Sequence, residues 1–214
     1  MKQNRKIRIS LFATAGVLAL VGIGFAAWTI SQGAEKEATG SISADATVKN
    51  NALSIDATSD WVKTDNAAIH FGPKVSGTIT NPWLTVDSGS TPEDLTATYR
   101  LVVKYNDKEP TSVTAALSAT EGYNTAFNNG YVGALPTTEK GIAIGAGVKD
   151  AEHKTVTYDI KVTFTWGSAF GNINPYEYYN KQTFTSDLAS QAKTAIEGLS
   201  SLNSASFTLT ITVS

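Results

Sequence analysis

Thr155-Val156-Thr157-Tyr158-Asp159-Ile160-Lys161-Val162-Thr163-Phe164-Thr165-Trp166 alternates without a break. Val156, Tyr158, Ile160, Val162, Phe164 and Trp166 fall on one side; Thr155, Thr157, Asp159, Lys161, Thr163 and Thr165 fall on the other. Side chains of an extended strand point to opposite faces in turn, so this two-residue period describes a strand with one face in a core and the other in water. Threonine on the wet face adds to the reading, because its β-branched side chain suits a pleated surface.

The same pattern recurs on both sides. Between Leu95 and Tyr105, Leu95, Ala97, Tyr99, Leu101, Val103 and Tyr105 alternate with Thr96, Thr98, Arg100, Val102 and Lys104. The chain closes with Phe207, Leu209, Ile211 and Val213 set against Thr208, Thr210 and Thr212. Shorter candidates are Ile42–Val48, Leu53–Ala57, Val75–Thr80, Ser112–Leu117 and Ile142–Val148, each bounded by Gly, Pro, Asn or Asp. One-sided strands at such spacing predict a mostly β domain of antiparallel sheets packed face to face. One helix interrupts them: Leu188, Ala192, Ala195, Ile196 and Leu199 share a face, Ser186 or Asp187 is placed to cap the start, and Gly198 sits near the end.

The first residues read differently. Lys2, Arg5, Lys6 and Arg8 precede an uncharged, largely apolar run from Ile9 to Ile30, the pattern of a signal-peptide helix. Small residues at Gly24 and Ala26 place cleavage between Ala26 and Ala27, since a cut one residue later would put bulky Phe25 three positions back. The competing reading is an uncleaved anchor, because about 20 apolar residues can span a bilayer. The expected organisation is a leader over 1–26, a flexible polar segment over 27–40 and a β-sandwich over 41–214. The protein is then secreted, extracellular or at the cell surface, meeting signal peptidase during export and a membrane only through an uncleaved leader.

Of the 214 residues 17 are basic and 19 acidic; four of the basic ones lie in the leader, leaving 13 against 19, a net charge of about −6. An acidic surface argues against nucleic acid or anionic lipid as a partner. The chain has no cysteine, so a secreted domain of this composition must rely on its core instead of disulfides.

No arrangement announces catalysis, and no cofactor is expected. His70 and His153 lie apart, neither with a partner at metal-ligand spacing, and both read as ordinary surface or loop residues. Gly-x-Ser-x-Gly does not occur, and the glycines of Gly141–Gly147 lack the Lys-Ser/Thr ending of a phosphate loop. Glu93-Asp94 and Asp150 with Glu152 are read as solvated turn carboxylates, with a surface calcium site left open. The most distinctive cluster is Trp166, Phe170, Tyr176, Tyr178 and Tyr179, where Gly167 and Gly171 permit a tight exit from a strand and Asn174-Pro175 opens a helical turn. It is read chiefly as a plug closing one end of the sandwich, the alternative being a glycan-binding platform on a monomeric binding module.

The basic start, Val21-Gly22-Ile23-Gly24-Phe25-Ala26-Ala27-Trp28 and the Ser/Thr/Gly-rich stretch after it resemble the TasA/camelysin-like family of Gram-positive exported proteins, cut by a SipW-type signal peptidase. Trp166-Gly167-Ser168-Ala169-Phe170-Gly171, Asn174-Pro175-Tyr176-x-Tyr178-Tyr179 and the terminal strand look like a pattern recurring in proteins with this signal type. The resemblance implies a jelly-roll domain and, as for TasA, a biofilm matrix fibre built by donor-strand complementation. Each subunit would donate its N-terminal segment to the sheet of the next, giving a head-to-tail homopolymer or an assembly with related matrix proteins. In this chain the candidate donor runs from Ala27 to about Val48, with Trp28, Ile30, Ile42 and Val48 as the side chains that fill acceptor pockets. The other reading has Ile42–Val48 paired within its own domain.

Overall fold

A computed structural model describes residues 38–50, 52–62, 68–74, 80, 92–183 and 185–214. Strands make up 41% of it and helices 24%, so the chain is mostly β, with curled sheets. Along the chain run β1 (Ala38–Val48), β2 (Leu53–Ile55), β3 (Asp60–Trp61), β4 (Ala68–Phe71), β5 (Thr96–Tyr105) and β6 (Val113–Ala119). Helix α1 (Glu121–Asn128), β7 (Ile142–Ile144), β8 (Val148–Asp150) and β9 (Thr155–Thr163) follow, then α2 (Pro175–Asn180), α3 (Ser186–Gly198) and β10 (Ser206–Val213).

Two sheets result. The first has the order β4-β1-β10-β6; the second runs β2-β5-β9-β7, with β3 also on β5 and β8 also on β9. The three strands with the cleanest alternation, β5, β9 and β10, lie in the interior of their sheets, where one-sided patterning is most strongly enforced. The expectation of wholly antiparallel sheets needs correction. β1 and β10 run parallel, pairing Ser41 with Ser206 through to Val48 with Val213. The cause is topological: α3 and the 3-10 turn Leu199–Ser204 return the chain to the end where β1 began, so the first and last strands set out together.

The sheets meet at one corner. His70 and Asp94 exchange backbone hydrogen bonds of 2.9 and 3.0 Å, and the Phe164 amide donates to the Leu95 carbonyl at 2.8 Å. The outer side of β4 is thereby joined to the segment feeding β5, whereas among the described residues β6 pairs only with β10.

One core lies between the sheets. Phe164 is 2% exposed, and its ring centroid lies 4.7 Å from that of Phe207, 5.8 Å from Tyr123 and 6.1 Å from Phe71. Aromatic rings at such separations prefer edge-to-face contact and bury large apolar areas. Tyr123, from α1, donates its hydroxyl to the Gly133 carbonyl at 3.0 Å, and burial pushes its phenol well above the ordinary range. Helix α3 buries Ala189, Ala192, Ala195 and Ile196. Its cap is Thr185, whose side chain accepts from the Leu188 amide at 3.1 Å, so the expected caps Ser186 and Asp187 instead form the first turn.

Other boundaries shift as well. Ala38–Gly40, expected to be flexible, already belong to β1, which moves the domain boundary from 41 to 38. The stretch Ile142–Val148, expected as one strand, splits into β7 and β8. The candidate Val75–Thr80 lies outside the described residues except for Thr80.

Candidate functional site

Of the expected site residues, Ala26, Ala27, Trp28 and Ile30 lie outside the described residues. Ile42 and Val48 belong to β1, which pairs antiparallel with β4 and parallel with β10 of its own chain. In the single chain this is the pairing within its own domain, the other reading of Ile42–Val48. Ile42 is 5% exposed, and Ala44, Ala46 and Val48 are half-buried on the same side, while Ser43, Asp45 and Thr47 face out. Among the described side chains of β1 only one large one is thus deeply anchored, and the backbone ladder supplies most of the strand's hold. After Val48 the chain turns on Asn50, whose carbonyl accepts from the Leu53 amide at 2.9 Å and whose side-chain oxygen accepts from the Ala52 amide at 2.9 Å.

The aromatic cluster is placed inward. Trp166, Phe170, Tyr176 and Tyr179 are each 5% exposed or less, and Tyr178 is half-buried. Phe170 forms its centre, 6.0 Å from Trp166, 6.1 Å from Tyr179 and 6.4 Å from Tyr178. Burial, with Tyr178 and Tyr131 nearby, pushes the Tyr179 phenol up to about 12. These rings pack inward against one another, and no coplanar exposed row exists among them for a glycan platform. The local backbone explains the plug. A Cβ on Gly167 would sit 2.1 Å from the Gly130 carbonyl oxygen, and Gly171 adopts a left-handed φ of 60° at the end of the 3-10 turn Ser168–Phe170.

A polar network that the sequence reading missed lies beneath this plug. Asn174 is the one fully buried polar or charged residue among those described, at 3% exposure. Its Oδ1 accepts from the Tyr176 amide at 3.0 Å, capping α2, with Pro175 in the first turn where no amide is needed. Its Nδ2 donates to the Gly72 carbonyl at 3.0 Å and to Glu93 Oε2 at 2.9 Å. Trp166 Nε1 donates to the same Oε2, and Lys74 Nζ reaches Glu93 Oε1 at 3.1 Å. The Glu93 side chain is 12% exposed, so it is no solvated turn carboxylate. Burial would raise it, but the donors Asn174, Trp166 and Lys74 outweigh burial and hold it below the ordinary range.

The histidines divide. His153 sits in an exposed turn, its Nδ1 2.8 Å from Asp150 Oδ2, whereas His70 lies within β4. Among the described residues no cluster of three or more His, Cys, Asp or Glu is placed to hold a metal ion, and no helix is long and apolar enough to cross a membrane. A cavity of about 770 Å³ opens beside the plug, with Phe127, Leu135, Lys140, Thr165 and Trp166 on its wall. Lys140 is the only titratable side chain lining it among the described residues, so no acid and base converge there. Comparison with models of known protein families, with characterised proteins and with solved structures found no match to this chain.

Proposed function

We propose that this protein is a secreted structural subunit of an extracellular fibre, biofilm matrix or surface layer, assembled by exchange of its N-terminal strand. The observation that carries the reading is the position of β1. It comes from the N-terminus, lies between β4 and β10, and is anchored by a single deeply buried large side chain, Ile42. A terminal strand attached by one short turn can leave its slot and fill the same slot in a neighbour, remaking every ladder bond it gave up. Exchange of this kind is head-to-tail: each subunit gives a strand forward and receives one from behind, so growth continues where a two-fold dimer would close.

The remaining features fit such a role. A basic, apolar leader directs export, the acidic and cysteine-free composition suits an extracellular protein, and the work of assembly falls on backbone groups with no reactive side chain or cofactor required. On this reading the two curled sheets form a jelly roll, and the resemblance of the leader and C-terminal third to the TasA/camelysin-like family has a common mechanical basis. The partner is a second copy of the chain or a related matrix protein.

The test is electron microscopy of protein beginning at Ala27. Filaments are expected, and excess synthetic peptide matching Ala38–Val48 should cap their growth by occupying the vacated slot. A monodisperse monomer at high concentration would overturn the proposal.

A further inference from the structure

The network around Glu93 brings together three groups whose chemistry is complementary. An amine (Lys74 Nζ) sits 3.1 Å from one oxygen of the carboxylate, and a carboxamide (Asn174 Nδ2) sits 2.9 Å from the other. The carboxylate therefore bridges a nucleophile and an electrophile. The electrophile is activated: the Tyr176 amide at the start of α2 donates to the Asn174 carbonyl oxygen at 3.0 Å, polarising it and standing ready for the negative charge a tetrahedral intermediate would place there. It is also sheltered, with Asn174 3% exposed beside Trp166, and Phe71 5.5 Å from the Trp166 ring. At rest the pair is ionic, with Glu93 held low by its donors and Lys74 raised by Glu93, so passing the proton across is the uphill step that precedes attack. The Lys74 side chain is 56% exposed, so its stem is not locked by packing.

We infer that Lys74 and Asn174 are positioned to form an intramolecular amide cross-link, with Glu93 as the proton relay. Lys74 first passes a proton to Glu93. The neutral Nζ then attacks Asn174 Cγ, and the oxyanion rests on the Tyr176 amide. Glu93 gives its proton to Nδ2 and takes one from Nζ; the Cγ–Nδ2 bond breaks as the Nζ–Cγ amide is completed. Ammonia departs, taking the proton from Glu93, which returns to a carboxylate. No oxidant, metal or co-reactant enters the balance.

The product would close a loop of about a hundred residues and tie the end of β4 to the head of α2. In a chain without cysteine it supplies a covalent staple that a disulfide would provide elsewhere. It stands apart from the fibre reading, since a monomer could carry it equally well.

The experiment is intact-mass measurement of the purified, folded protein. The expected result is a mass about 17 Da below that of the sequence, the ammonia lost, with a branched peptide joining Lys74 to Asn174 on fragmentation. Lys74→Arg and Glu93→Gln should both return the full mass. A succinimide at Asn129-Gly130 would lose the same mass without branching; at Asn174 that route is closed because Pro175 has no backbone N–H. An unaltered mass in the parent protein, or a loss with no branched peptide, overturns the inference whether or not the variants fold.

Discussion

Replacing Ile42 with alanine tests how β1 is held and what that hold controls. Ile42 is 5% exposed, and the next inward residues of β1 are Ala44 and Ala46, so the substitution removes the strand's only deep apolar anchor. Truncating a buried isoleucine to alanine costs 2–5 kcal/mol in general, and near the mouth of a strand slot we place it at about 2–3 kcal/mol. Urea unfolding should show this loss at unchanged denaturant slope. Strand exchange replaces each contact within the chain by the same contact between chains, so the balance between the two should hardly move. The barrier should move, because β1 must leave its slot first. At 1.4 kcal/mol per factor of ten, release becomes roughly 30- to 150-fold faster, and seeded filament growth should accelerate accordingly. A loss of stability below about 1 kcal/mol would show that Ile42 does not anchor β1. A full loss with unchanged growth rate would show that release of β1 does not limit assembly.

Other outcomes follow from the same geometry. Phe164→Ala should cost about 3–5 kcal/mol in chemical denaturation, because it empties the meeting point of rings from both sheets and α1. Asp56 is held well below the ordinary carboxylate range by the Lys104 ammonium first and then by the Thr58 hydroxyl and amide. A lowered carboxylate contributes stability that is present above its ordinary value of 3.8 and lost as the pH falls below it, so Asp56→Asn should flatten the acid end of the stability profile measured by denaturation at successive pH values. Trp166 is 4% exposed, so its fluorescence should resist quenching by iodide and stay unchanged by added soluble glycans.

The parts of the fold legible in the sequence were those where water imposes a pattern. β5, β9 and β10 are long and wet on one face, so hydrophobic and polar residues had to alternate, and α3 shows its buried alanines at helical spacing for the same reason. Short elements leave little periodicity to read. β3 has two residues, β4 has four, and α1 buries only Tyr123 and Ala126. Partner choice was not legible either: nothing within Ile42–Val48 encodes that its neighbour is the last strand and runs parallel, because that follows from where α3 returns the chain. The plug was visible as a run of aromatics, and Asn174-Pro175 as a helix start. Glu93 was hidden because a carboxylate beside Asp94 looks solvated until the fold brings Trp166 and Asn174 onto it. The available signal was Asn174 directly ahead of Pro175 in a run of aromatics, a buried amide that required partners.

Whether β1 changes hands between subunits can be read directly from a cysteine pair at Ala46 and Ile211. These residues are register partners on β1 and β10, and neighbouring strands lie about 4.8 Å apart, within the span a disulfide bridges. Assembled under reducing conditions, oxidised and run on a non-reducing denaturing gel, the double variant should give a ladder of covalently linked multimers. Filaments that dissolve entirely into internally bridged monomers would contradict the account, because β1 would then have stayed in its own sheet.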